Sequence, residues 1–327
     1  MKKITLKGMW EVLTCAFNGF IDNKILKLSA SLAYYTVFSL APLLIVLLFI
    51  CGKIFGQDAI EGSIYGQIRG FVGSDSAAQL QEIVKNASLS GKSTVAAIIG
   101  VITLLIGATS VFAEIQDSIN TIWGLKAKPG KGFRQFIQTR IASFGVIGSL
   151  GFLLLVSLGV TALVEALSNQ LKDRFPDITV VVFYIINILI TFVVTTALFA
   201  VIFKVLPDAK IKLKDVLSGA IATTILFLVG KFAISFYISK SEVGSTYGAA
   251  GSLVVLLVWI YYSSVILYFG AEFTKAYAVK YGAPIHPNKY AVTFRTMDVE
   301  EGKKTVQSAD KKDKEEKEKV AEAEAKT

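Results

Sequence analysis

The stretch Ile178–Phe203, ITVVVFYIINILITFVVTTALFAVIF, contains no charged residue and one side chain amide, Asn187. A surface helix of a soluble domain carries a polar face, and a buried strand ends after a few residues. A continuous apolar run of this length is what a bilayer-crossing helix needs, about 20 residues for a hydrocarbon core of about 30 Å. The rest of the chain is read from it.

Five further runs qualify: Ala30–Lys53, Thr94–Ala113, Arg140–Leu167, Val216–Ile238 and Ala250–Phe273. None alternates in polarity as a barrel strand does. The expected fold class is therefore all-α, a polytopic membrane protein with a bundle of six transmembrane helices and amphipathic interfacial helices. Composition agrees. The 327 residues are 53% hydrophobic and 18% charged, where soluble domains carry about 25% charge.

The placement of charge sets an orientation. Lys2, Lys3, Lys7, Lys24 and Lys27 precede the first run, and Lys126, Lys128, Lys131, Arg134 and Arg140 follow the second. Lys204, Lys210, Lys212 and Lys214 follow the fourth, while the short connections on the other face carry only Lys172, Arg174 and Lys240. By the positive-inside rule both termini of this multi-pass chain are expected to be cytoplasmic. The net charge of +9 is thereby read as topology and as attraction of the basic loops to anionic lipid headgroups. The loops lack the interleaved aromatics of an RNA-binding surface, so no nucleic acid partner is expected.

Around the spans, Trp10, Leu13, Phe17 and Phe20 or Ile21 recur at helical spacing between lysines, as in an interfacial amphipathic helix. Ile60, Ile64, Ile68 and Phe71, then Leu80, Ile83, Val84 and Ala87, suggest two more in the outer loop. The expected organisation is a cytoplasmic amphipathic arm (1–28), a membrane domain (29–280, with an extracytoplasmic helical loop at 54–93) and a charged disordered cytoplasmic tail (281–327).

The order Ser29-Ala30-Ser31-Leu32-Ala33-Tyr34-Tyr35 and Phe38-Ser39-Leu40-Ala41-Pro42 resembles the opening of the YihY/virulence factor BrkB family. So do Phe112-Ala113-Glu114-Ile115-Gln116-Asp117-Ser118-Ile119-Asn120-Thr121-Ile122-Trp123, Leu206-Pro207, Gly219-Ala220 and Phe236-Tyr237. Tyr247-Gly248-Ala249-Ala250-Gly251-Ser252-Leu253, then Trp259 and Gly270-Ala271-Glu272, complete the set over about residues 10–280. The resemblance implies a six-helix inner-membrane protein. Some members look linked to transport or export, including of lipid-related molecules, and one gave the family a virulence (serum-resistance) label. An old ribonuclease label is widely regarded as a misassignment, and the family supplies no agreed catalytic residues.

The residues themselves weigh against a nuclease. A metal-dependent ribonuclease needs clustered histidine and carboxylate ligands, and the chain has one histidine, His286, between Pro284 and Pro287. Cys15 and Cys51 fall in unlike environments, no GxxxxGK[ST] loop is present, and neither metal nor cofactor is expected. The chain is read as not an enzyme.

Polar positions within or beside the runs are the candidates for a substrate pathway or gate. Charge in a bilayer core is costly, which singles out Lys231; it either snorkels to the outer interface or lines a cavity and pairs with Glu165. Glu114, Asp117 and Asn120 share one helix face and, with Glu272, end either as helix-end polarity tied by a salt bridge or as a cytoplasmic gate. Pro42 kinks the first span, with Tyr34, Tyr35 and Ser39 around it; the kink is either structural or part of a pathway. Asn187 either bonds a neighbouring helix or meets substrate.

These features lead to the expectation of a transporter or flippase-like protein for a lipid or other amphiphilic or anionic small molecule, not ATP-driven by itself. Its cavity would lie between the first, second, fifth and sixth spans. The alternative is a non-transporting scaffold of envelope biogenesis, acting as a homo-oligomer or with an envelope protein partner.

Overall fold

The computed structural model describes residues 5–39, 94–127, 176–240, 251–288 and 291–294. Helix α1 is Leu6–Asp22, α2 covers residues 25–39, and α3 is Thr94–Ile122. Helices α4 (Pro176–Val205), α5 (Leu213–Lys240) and α6 (Gly251–Tyr281) follow. The third expected span, the outer loop, Pro42, Glu165 and the tail beyond residue 294 lie outside the described residues.

Among the described residues, three helical segments are long and apolar enough to cross a membrane: Val181–Val205, Leu213–Ile234 and Leu253–Tyr281. Their outward faces are apolar along their length, as on α4, where Val181, Ile185, Leu189 and Val193 stand exposed, and on α5, where Ile225, Val229, Phe232 and Phe236 do. Such surfaces suit hydrocarbon rather than water. Expected boundaries and helices agree for α4 and α5 within three residues, whereas α3 runs on to Ile122 and α6 to Tyr281.

Helices α5 and α6 pack antiparallel through a reciprocal motif. Thr274 of α6 lies against Gly219 of α5, and Thr223 of α5 lies against Gly270 of α6; a Cβ on either glycine would stand 1.8 or 2.0 Å from the facing threonine Oγ1. Each threonine hydroxyl donates to the carbonyl of the glycine one turn before it, Thr223 to Gly219 and Thr274 to Gly270, both at 2.7 Å. This removes the hydroxyl's need for a partner across the interface, and the bare glycine lets the backbones close. Further along, Tyr262 occupies the space over Gly230. Helix α4 joins α5 through a buried hydroxyl pair, Thr196 to Thr224 at 3.1 Å.

Helix α1 starts at Thr5, whose Oγ1 accepts from the Gly8 N–H at 3.1 Å as a side chain cap. It ends at Asn23, whose N–H donates to the Gly19 carbonyl at 2.9 Å. Lys24 takes a left-handed φ of 52°, which turns the chain directly into α2. Val12 and Ala16 are buried against Phe273 and Ala276 of α6.

The expectation of an all-α chain needs one correction. Leu125–Ala127 (β1) pairs antiparallel with Ala291–Thr293 (β4), and Ala209–Lys210 (β2) pairs with His286–Pro287 (β3). Residues 286–287 and 291–293, placed in the tail by the sequence reading, thereby take part in strand pairing with the segments that follow α4 and α3. Strands this short carry no periodicity, and prolines beside them hide them further.

Candidate functional site

A cavity of about 370 Å³ lies among five helices. Leu32 and Thr36 enter from α2, Ile115 from α3, Phe199 from α4, Phe227 from α5 and Trp259 from α6. Its lining is apolar apart from hydroxyls, among them Thr36, Ser263 and Ser264. Those hydroxyls donate to carbonyls of their own helices, at 2.8 Å to Leu32, 2.9 Å to Trp259 and 2.7 Å to Ile260. Their oxygens keep acceptor capacity toward the cavity.

Within about one turn of this lining along α3, α4 and α6, the interior closes with Ile119, Phe203, Tyr268 and Ala271, all fully buried. Beyond them lies a polar layer, at the end of the bundle where α1 packs. Its centre is Asp208, between α4 and α5. The Asp208 carboxylate accepts from Gln116 Nε2 at 3.2 Å and from Asn120 Nδ2 at 2.9 Å. Asn120 Oδ1 in turn accepts the Asp208 N–H at 2.8 Å, so one amide side chain satisfies both the backbone and the carboxylate. The Asp208 carbonyl accepts the Asn288 N–H at 2.9 Å, which draws the β3 strand into the same knot.

Around this centre, the elements are tied together by side chains that bond to backbone groups of neighbouring segments. Lys275 Nζ donates to the Ile122 carbonyl at 2.5 Å, at the end of α3. Trp123 Nε1 donates to the Ala271 carbonyl at 3.1 Å, and Lys204 Nζ donates to the Ile211 carbonyl. The Asp215 carboxylate, in the first turn of α5, accepts the Ala283 N–H at 3.2 Å just past α6. Glu272 is 2% exposed and accepts from Asn23 Nδ2 at 2.5 Å, with Gly19 bare beneath its carboxylate.

The candidate residues from sequence fall as follows. Asn120 sits at the centre of the layer, and Asp117 is close enough to feel the charges of both Asp208 and Glu114. Glu272 joins the layer through Asn23 rather than through Lys275 or the α3 acids. Tyr34 and Tyr35 are exposed and stacked edge-on at 5.8 Å; the α2 side chains in the cavity are Leu32 and Thr36 instead. Ser39 donates to the Thr36 carbonyl at 2.8 Å and packs at Gly107. Lys231 is exposed on α5. Asn187 is part of α4, and its side chain lies outside the described residues, as do Pro42 and Glu165.

Helix α4, the fourth span and not among those expected to form the cavity, lines it through Thr195, Leu198, Phe199 and Ile202. Gln116, Asp208, Asp215 and Asn23 were not singled out either. The signal available for Asp208 was its place after Leu206-Pro207, a proline that ends α4 and leaves a polar residue at the bundle edge. Among the described residues no group of three or more His, Cys, Asp or Glu side chains is placed to hold a metal ion.

Two acids of the layer hold protons more tightly than usual. Burial raises the Asp208 carboxyl pKa, opposed by the hydrogen bonds from Asn120 and Gln116. Asp117 is exposed, yet the protein packed around it takes away enough water to raise its pKa, and Glu114 and Asp208 add to the rise by repulsion. A raised folded pKa contributes stability below the unfolded value of about 3.9, and that stability is lost as pH rises through the folded value. Thermal melting of the purified protein in detergent is therefore expected to fall as pH is raised from about 4. Asp117→Asn should flatten that slope, and an unchanged slope in this variant would remove Asp117 from the account.

A match to the family model described as virulence factor BrkB covers residues 16–292. A Pseudoalteromonas atlantica relative named UPF0761 membrane protein is 28% identical over 249 residues, which is 74% of this chain and 78% of the relative. A Haemophilus influenzae protein of the same name group is 24% identical over 77% of this chain and 90% of its own length. A Bacillus subtilis relative whose name reads ribonuclease-like is 26% identical over 75% of this chain and 86% of its own. No solved structure matches the chain. With its apolar helices and a family match over most of its length, the chain is a membrane protein of the virulence factor BrkB family.

Proposed function

We propose that this protein is a transporter or flippase-like protein of the bacterial inner membrane that moves a lipid or another amphiphilic or anionic small molecule. The observation that carries the reading is the cavity of about 370 Å³ among α2, α3, α4, α5 and α6. Its size is within the range of about 300–1,000 Å³ typical of small-molecule sites. Its apolar wall suits an acyl or isoprenoid chain, and its few hydroxyl acceptors suit a polar attachment. The polar layer at Asp208 then acts as the closed gate, on the cytoplasmic side if the basic loops mark the inside.

The test is transport by the purified protein in liposomes, read with headgroup-labelled phospholipid, a labelled fatty acid and a small organic anion. Movement of at least one above the rate in protein-free vesicles is expected, with loss of that increment in Ser263→Trp, which fills the cavity. No movement of any of them would count against the reading.

A second reading, a non-transporting scaffold of envelope biogenesis, is favoured by the charge-rich sequence of the segment Phe294–Thr327. Truncation after Thr293 separates the two. A scaffold working through its tail loses function, whereas a transporter keeps moving substrate.

A further inference from the structure

The exposed surface of α1 is divided lengthwise. One stripe carries Leu6, Trp10, Leu13, Phe17 and Ile21, exposed at 94%, 70%, 40%, 58% and 60%. A second carries Lys7, Glu11, Thr14, Cys15, Asn18 and Asp22, also exposed. The third, with Gly8, Val12 and Ala16, is buried. A helix on a soluble surface needs only the buried and the polar stripes. The additional apolar stripe extends from the first turn to the last, so the boundary between oily and watery surroundings runs parallel to the axis of α1.

The partner helix supports this placement. Helix α6 has 31 residues, about 46 Å at 1.5 Å per residue, against a hydrocarbon core of about 30 Å. The excess corresponds to its last three turns. Those turns are what α1 accompanies, running antiparallel, with Gly8 at Tyr281, Glu11 paired to Lys280, Gly19 at Glu272 and Phe20 against Phe269. The apolar cluster that joins α1 to α6, Val12 and Ala16 with Phe273 and Ala276, is also met by Ala222 of α5, next to the exposed Ile221. The apolar stripe thus continues a surface that already suits lipid.

We propose that the outer face of α1 is a lipid-docking surface, seated along the membrane–water boundary with Trp10, Leu13 and Phe17 in the acyl region and Lys7 among anionic headgroups. The charges fit that occupant. Lys7, Lys24 and Lys27 are exposed in and after α1, while of the α1 acids Glu11 is paired to Lys280. A second copy of the chain as occupant would have to present a matching apolar stripe and would leave these lysines facing their own kind. The inference does not depend on transport.

Two labels already in the chain test it. The full-length protein and its Trp10→Phe variant are reconstituted in vesicles of phosphatidylcholine and phosphatidylglycerol, with and without bromine on the acyl chains. The brominated chains are expected to quench a component of tryptophan fluorescence that disappears in Trp10→Phe, and aqueous iodide is expected to leave that component intact. In a Cys51→Ser background, a membrane-impermeant maleimide should label Cys15, which lies on the polar stripe, in vesicles opened to give access to both faces. Quenching of Trp10 by iodide places the stripe in water and overturns the proposal. Shielding of Trp10 from both quenchers means that protein covers the stripe, which also overturns it. A Cys15 protected from label would show that the boundary does not run along α1.

Discussion

Replacing Gly270 by alanine is expected to destabilise the protein by about 3 kcal/mol, a large effect for one methyl group and at the upper end of overpacking costs. The added Cβ would stand 2.0 Å from Thr223 Oγ1, 2.7 Å from its Cγ2 and 2.9 Å from its Cβ. Thr223 is fully buried, and its hydroxyl is held by the Gly219 carbonyl, so it has nowhere to rotate. The backbones of α5 and α6 must separate, which also lifts Thr274 from Gly219. Adding Thr223→Gly in the same chain removes all three obstructing atoms. The double variant should recover most of the loss, less about 1 kcal/mol for a glycine within a helix. Melting in detergent, followed by circular dichroism, measures both. A double variant as unstable as the single one would show that the collision is not with Thr223.

Replacing Asn120 by alanine should cost about as much by a different route. It strips the Asp208 N–H of its acceptor and one carboxylate oxygen of its donor. A buried group left unpaired costs about 1–3 kcal/mol, more when charged. The loosening should be local, so hydrogen exchange at 206–210 is expected to speed up before global melting changes. Asn120→Asp separates charge from geometry, because it sets a second carboxylate against Asp208 and forces one of the pair to hold a proton. That variant should be as weak as Asn120→Ala near neutral pH and recover more steeply as pH falls, because a singly protonated carboxyl pair regains a hydrogen bond that alanine cannot supply. Matching pH profiles for the two would contradict the assignment of Asp208 as the centre of the layer.

The apolar helices were legible because crossing a bilayer demands long uninterrupted runs, and Ile178–Phe203 announces α4 within a few residues of both ends. The ends of α3 and α6 were not. Past Ala113 and Phe273 the chain becomes polar enough to resemble a loop, yet it stays helical because tertiary bonds from Asn120, Trp123 and Lys275 hold it. Glu114, Asp117, Asn120 and Glu272 could be chosen as chemistry-bearing residues, because polar groups beside apolar runs are conspicuous. Their partners could not be paired. Asn23 meets Glu272 across 249 positions of sequence and Asp208 meets Asn120 across 88, and no local pattern encodes such distances. Exposure was also hidden: the same periodicity describes a tyrosine aimed at a cavity and one aimed outward, and Tyr34 takes the second course.

Lys204 and Lys275 have a double employment that concerns the order of events in making the protein. At insertion, a lysine at the foot of a helix acts as a free charge that resists passage across the bilayer, and any cation does that work. In the finished bundle each has become a ligand to a backbone carbonyl, Lys204 to Ile211 and Lys275 to Ile122, where reach and hydrogen-bond direction matter as well as charge. The two demands act at different times on the same atoms. Arginine in either place would satisfy the early demand while straining the later one, producing chains threaded correctly and then slow to close.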